Sequence, residues 1–225
     1  MKRNVSLDEI SDGKLYTSND LAKLECGGCK GCSACCRNMG NSIILDPMDV
    51  WQLCENLGKT FEMLLGRELE LNVVDGIILP NLKMDGNTNA CAFLNEQGRC
   101  AIHPFRPGFC RMFPLGRYYD MDGFKYFLQI YECFRENRTK VKIKKWLDIP
   151  DLKTYEAYIC AWHDYLMAAE EHIEKAGDEL LMKKTDMAIL ELFYMTPYTR
   201  ESGFYPQFYE RLETAKNLFK KHPIP

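Results

Sequence analysis

The sequence predicts an α+β protein: an irregular, cysteine-rich, metal-binding part over residues 1–150, with short helices and β-hairpins, then a helical part over 151–225 packed on it. Three observations predict it. Cysteine, glycine and serine crowd residues 26–36 too densely for a regular element. Strand-like runs separated by turn signals recur between residues 69 and 131. From about Asp151 onward, the apolar residues change to helical spacing.

Residues 1–17 read as a loose arm or a short opening element. Ser18, Asn19 and Asp20 offer caps for a short helix through Leu21 and Leu24. Residues 26–36 form a loop folded around something. Residues 42–45 read as a short strand. Asp46-Pro47 then supplies an N-cap and a first-turn proline, with Val50, Leu53 and Cys54 at helical spacing and Gly58 as the stop. Thr60 opens another short helix. Residues 69–74 and 77–79 flank Asp75-Gly76, a hairpin turn signal. A second hairpin is expected across 91–102, a single helical turn at 106–111, and a third strand pair turning at 120–123. In the last third, Tyr155, Tyr158, Ile159, Trp162 and Leu166 mark one helix. Leu180 to Phe193 mark a second, and Tyr209, Leu212, Ala215 and Leu218 a third.

Composition narrows the function. The 46% hydrophobic and 27% charged residues are ordinary for a globular chain, which argues against disorder. A net charge of -3 predicts no nucleic-acid partner. No apolar run approaches the roughly 18 residues of a membrane span, and the charged N-terminus lacks a secretory core, so membrane insertion is not expected and the compartment expected is the cytoplasm. In that reducing setting 11 cysteines, an odd number, point to metal or redox chemistry rather than a disulfide framework.

Cys26, Cys29, Cys32 and Cys36 stand at C-x2-C-x2-C-x3-C, the spacing of bacterial ferredoxin loops. Steps of three residues let a loop present successive thiolates to one cluster, and Gly27, Gly28 and Gly31 ease the wrap. Arg37 stands where ferredoxins have proline, and Cys35 is an extra thiol. Adjacent side chains diverge, so Cys35 and Cys36 are expected to serve different sites or different corners of a large one. Cys91, Cys100, Cys110 and Cys133 bring enough thiolate for two four-ligand sites. The C-x3-C-x2-C spacing of radical enzymes is absent.

The series Cys29-Lys30-Gly31-Cys32-Ser33-Ala34-Cys35-Cys36, then Cys91, then Gly98-Arg99-Cys100, then Arg106-Pro107-Gly108-Phe109-Cys110-Arg111-Met112-Phe113-Pro114 resembles the YkgJ-like cysteine-cluster (CxxCxxCC) family of zinc- or iron-chelating proteins. A related domain occurs in flagellin lysine N-methylases. The resemblance spans residues 26–135. It implies Cys29, Cys32, Cys35, Cys36, Cys91, Cys100, Cys110 and Cys133 as ligands, with Cys26 an addition. It also implies an Fe–S oxidoreductase or lysine N-methylase-like activity, although the chain shows no glycine-rich methyl-donor loop.

Clustered thiolates suit iron–sulfur clusters and zinc alike. The ferredoxin-like spacing favours iron–sulfur, of the [4Fe–4S] type, with zinc as the alternative. Two function classes follow: iron–sulfur redox or protein-modification chemistry with an unidentified redox or protein partner, or a non-catalytic zinc module or metal-handling protein. Lys30, Arg37, Arg99, Arg106 and Arg111 are candidates to offset thiolate charge. Cys54 reads as a buried inert thiol, Cys160 and His163 as packing, and His103 as a turn residue or a fourth zinc ligand. His172 and His222 read as exposed. The run 204–209 reads as an aromatic cover for the cluster domain.

Overall fold

A computed structural model describes residues 6–27 and 32–221, with 219–221 described by backbone alone. In chain order the elements are α1 (Leu7–Ile10), β1 (Leu21–Glu25), α2 (Pro47–Leu57), α3 (Phe61–Leu64), β2 (Leu69–Val74), β3 (Ile77–Leu82), α4 (Gly108–Met112), β4 (Leu115–Asp120), β5 (Gly123–Leu128), β6 (Thr139–Lys142), α5 (Ile143–Leu147), α6 (Leu152–Ala176), α7 (Glu179–Leu190) and α8 (Phe204–Lys221). The fold is α+β with a helical C-terminal region, as the sequence predicts. Internal contacts group the chain into two units: Ile44–Leu82 with Glu156–Pro225, and Lys2–Ile43 with Lys83–Tyr155.

In the first unit α2 starts where the sequence places it. Asp46 accepts from the Asp49 amide at 2.9 Å and Asp49 accepts from the Asp46 amide at 3.2 Å, a reciprocal cap on the first turn. Gly58 ends the helix in the left-handed region, at φ 62. The β2–β3 hairpin turns on Asp75 and Gly76, both at positive φ, as a two-residue turn of this twist demands. β3 runs beyond the expected 79 to Leu82, where Pro80, Asn81 and Leu82 lie opposite Leu71, Glu70 and Leu69, and the Pro80 carbonyl accepts the Leu45 amide at 2.9 Å.

Tyr158, Trp162, Phe193 and Phe208 form the aromatic centre of this unit, with Tyr158 and Phe208 edge-on at 4.6 Å and Trp162 and Phe193 at 4.8 Å. Of the 204–209 run, Phe204 and Phe208 are buried here against Tyr158, while Pro206 and Tyr209 are exposed. After α7 one π turn, Glu191–Met195, widens the helix. Arg211 accommodates the widened turn, donating to the carbonyls of Leu192, Thr196 and Pro197 at 2.7–2.9 Å while its guanidinium lies 3.7 Å over the Tyr198 ring. His172 is buried, contrary to expectation, and His222 lies outside the described residues.

The second unit is built on two antiparallel pairs, β1–β6 and β4–β5. Its core joins Ala22, Leu24, Met112, Leu115, Tyr126, Leu128, Ile143 and Leu147. The short helix expected through Leu21 and Leu24 is instead strand β1. Ala22 and Leu24 alternate inward at a period of two, and β6, which no local signal announced, provides the ladder. Asp20 closes a turn rather than a helix, accepting from the Thr17 amide and hydroxyl, each at 2.7 Å. The hairpin expected across 91–102 reduces to isolated pairings, Leu94 with Cys100 and Met84 with Cys91.

Candidate metal centre

None of the ten cysteines among the described residues is in a disulfide. Nine of the chain's cysteines were expected as ligands; Cys29 lies outside the described residues, and the other eight all fall in the second unit. A single 3-10 turn, Ala34–Cys36, carries Cys35 and Cys36. The following residues are pinned to 89–91: the Cys91 amide donates to the Cys36 carbonyl and the Asn38 amide to the Asn89 carbonyl, both at 2.8 Å. Cys100 joins through its pairing with Leu94, reinforced by the Ala101 amide on the Phe93 carbonyl at 2.8 Å. Segments more than fifty residues apart in sequence thus bring Cys35 within electrostatic reach of Cys36, Cys91 and Cys100.

Their surroundings set two forces in opposition. Hydrogen bonding with Cys36 holds the Cys35 thiol far above its ordinary range, and burial and the Cys36 charge add to this. Burial is the main cause that raises Cys91 and Cys100. Against it, the Phe93 amide bonds the Cys91 sulfur and the Ile102 amide bonds the Cys100 sulfur, favouring thiolate. The Arg106 charge also favours the ionised forms of Cys35 and Cys100, and its buried Nε has no hydrogen-bond partner among the described residues. Buried sulfurs that are given amide donors and a cation fit soft-metal ligation, since a bound metal supplies the positive charge that burial otherwise denies a thiolate.

Cys35 also faces a second space. With Cys26, Cys32 and Cys133 it lines a cavity of about 150 Å³. Leu24, Ala34, Phe113, Pro114, Phe134 and Trp146 form its apolar wall, and Arg135 reaches it. Strand β1 delivers Leu24 and leads directly to Cys26, and Trp146 is fixed by its indole N–H on the Phe113 carbonyl at 3.1 Å. Cys35 therefore touches both groups, while Cys36, hydrogen-bonded to Cys35, is not among the described residues that line the cavity. Among the described residues no three Cys, His, Asp or Glu side chains converge tightly enough to hold a single ion.

The other candidates fall outside these groups. Cys110 sits half-buried in α4. His103 contacts Arg106, and the Arg99, Arg106 and Arg111 charges, after burial, hold its imidazole below its ordinary pKa. Arg111 is a clamp: its guanidinium holds the carbonyls of Pro104, Arg106 and Asp148. Cys54 is half-buried in the other unit and its thiol is pushed up to about 11, chiefly by burial. His163 pairs with Asp164 at 3.5 Å. Lys30 lies outside the described residues. Arg106 was one of five equal candidates in the sequence; only the fold singles it out.

A family model described as "CxxCxxCC: Putative zinc- or iron-chelating domain" matches residues 28–132. The match spans a little under half of the chain, and over those residues the chain is similar to that domain. The match supports metal binding by the cysteine cluster and covers zinc and iron alike. Of the nine expected ligands it holds Cys29, Cys32, Cys35, Cys36, Cys91, Cys100 and Cys110 within its bounds, with Cys26 and Cys133 just beyond either end. No curated protein and no solved structure matches the chain. Among the described residues no helix is long and apolar enough to cross a membrane.

Proposed function

We propose that the CxxCxxCC domain holds iron–sulfur chemistry, of the [4Fe–4S] type, and that the chain is a cytoplasmic redox protein. Cys26, Cys29, Cys32, Cys35, Cys36, Cys91, Cys100, Cys110 and Cys133 supply the thiolates. One observation carries this reading: four cysteines line a single apolar cavity of about 150 Å³. One water needs only about 10–15 Å³ of such space. The cavity therefore has room for a group of several heavy atoms, where a lone ion would leave most of it empty. An iron–sulfur group would supply one-electron redox chemistry. The chain's own residues do the rest. The aromatic wall lowers the local dielectric, the Phe93 and Ile102 amides hold charge on two sulfurs, and Arg106 offsets part of it.

A second reading, structural zinc, draws on Cys35, Cys36, Cys91 and Cys100, whose segments are joined by the Cys91 amide on the Cys36 carbonyl. Four thiolates around zinc would carry a net charge of about -2, which Arg106 partly balances. Oxygen-free purification followed by iron, zinc and acid-labile sulfide analysis decides between them. Brown protein with iron and sulfide is expected. Colourless protein with stoichiometric zinc and no sulfide transfers the assignment to the second reading.

A further inference from the structure

The outer face of the β1–β6 ribbon carries charge that the fold leaves unbalanced. Ala22 and Leu24 point into the core, so Leu21 and Lys23 point out, and Lys140 and Lys142 are exposed on the facing strand. The register sets Lys23 directly opposite Lys140, and Lys142 opposite Leu21. Like charges in that position, with Cβ atoms roughly 5 Å apart, repel and weaken the ribbon. Lys144 and Lys145 follow at once in α5 and are exposed as well. Among the described residues none of these five lysines pairs with a carboxylate. A chain with a net charge of -3 thus sets Lys23, Lys140 and Lys142 on the ribbon's outer face, with Lys144 and Lys145 exposed in the helix that follows.

The same ribbon leads to the thiol cavity. β1 contributes Leu24 to the wall and continues into Cys26, and α5 contributes Trp146. At the cavity's edge Phe134 is 83% exposed, and Tyr131, nearby in sequence, is 71% exposed. A cationic ribbon that runs on in sequence into a thiol-lined cavity edged by exposed aromatics has the form of a docking site, where charge steers approach and apolar contact fixes the pose.

We propose that the outer face of the β1–β6 ribbon docks an acidic protein that exchanges electrons with the centre in the thiol cavity. The proposal rests on the redox reading above. One electron passes from the reduced partner to this chain and the partner is oxidised by one; no bond is made or broken. Protein is favoured over nucleic acid because these cations are all lysines, point charges without the forked geometry that grips phosphate.

The test uses the full chain purified without oxygen and a fluorescent poly-glutamate peptide, with a single-stranded DNA oligonucleotide of equal charge in parallel. At low ionic strength the peptide binds. Raised salt, or the exposed pair K140E/K142E, weakens binding on the order of tenfold, while iron and sulfide content stay at the wild-type level. Absence of peptide binding, binding indifferent to the two substitutions, or tighter binding of the DNA overturns the proposal. Peptide binding at the ribbon by a protein without iron and sulfide sustains the acidic dock and sinks the redox reading alone.

Discussion

Replacing Tyr158 with phenylalanine isolates one buried polar contact in the helical unit. The Tyr158 hydroxyl accepts the Met48 amide at 3.1 Å and donates to Asp46 Oδ1 at 3.0 Å. Met48 is the second residue of α2, so its amide has no partner inside the helix, and Asp46 is already committed to the Asp49 amide. Tyr158→Phe keeps the ring and its contact with Phe208 while leaving a buried amide unpaired and a carboxylate short of one donor. An unsatisfied buried amide costs about 1–3 kcal/mol and a hydrogen bond to a charged group contributes about 1.5–3. With partial relaxation the loss should be about 2–4 kcal/mol, or roughly 5–15 °C in Tm for a chain of this size. Urea unfolding followed by circular dichroism measures it, with Tyr131→Phe, at a residue 71% exposed, as a control expected within about 0.5 kcal/mol of wild type. Equal stability of the two variants would show that Tyr158 does not cap α2.

Three further outcomes are expected. Gly116 lies opposite Phe127, and a Cβ there would stand 2.3 Å from the ring. Gly116→Ala should therefore cost about 1–3 kcal/mol, and markedly less in a Phe127→Ala background; equal costs in both backgrounds would refute the clash. The Cys54 thiol is held at about 11 against an ordinary 9.0, so the unfolded chain loses this proton first as pH rises. Its contribution is intact below pH 9.0 and is lost as pH climbs to about 11, a slope that Cys54→Ala should remove from the stability profile. Single Cys35→Ser and Cys36→Ser variants should differ, because among the described residues only Cys35 touches both thiol groups: Cys35→Ser disturbs all bound metal, whereas Cys36→Ser spares the cavity site. Identical metal loss in the two variants would argue against that division.

What was legible in the sequence was what neighbours decide. Asp46, Pro47 and Gly58 bound α2 through caps made within a few residues, and Asp75-Gly76 sets its hairpin through backbone conformation. What was not legible needed distant partners. Ser18, Asn19 and Asp20 look like a helix cap until β6, more than a hundred residues later, offers β1 a ladder. The thiols show the same division. Their number and spacing signal metal, but the grouping of Cys26, Cys32, Cys35 and Cys133 depends on β1, a 3-10 turn and the segment before β6. The choice of Arg106 among five cations likewise follows from how the 104–106 loop is clamped by Arg111, a tertiary contact with no local signature.

X-ray absorption at the iron and zinc edges of protein kept free of oxygen tests the central claim most directly. Sulfur neighbours at about 2.3 Å around iron, with an iron shell beyond them, are predicted. A first shell of oxygen and nitrogen, or no absorption edge from either metal in a folded sample, would contradict it.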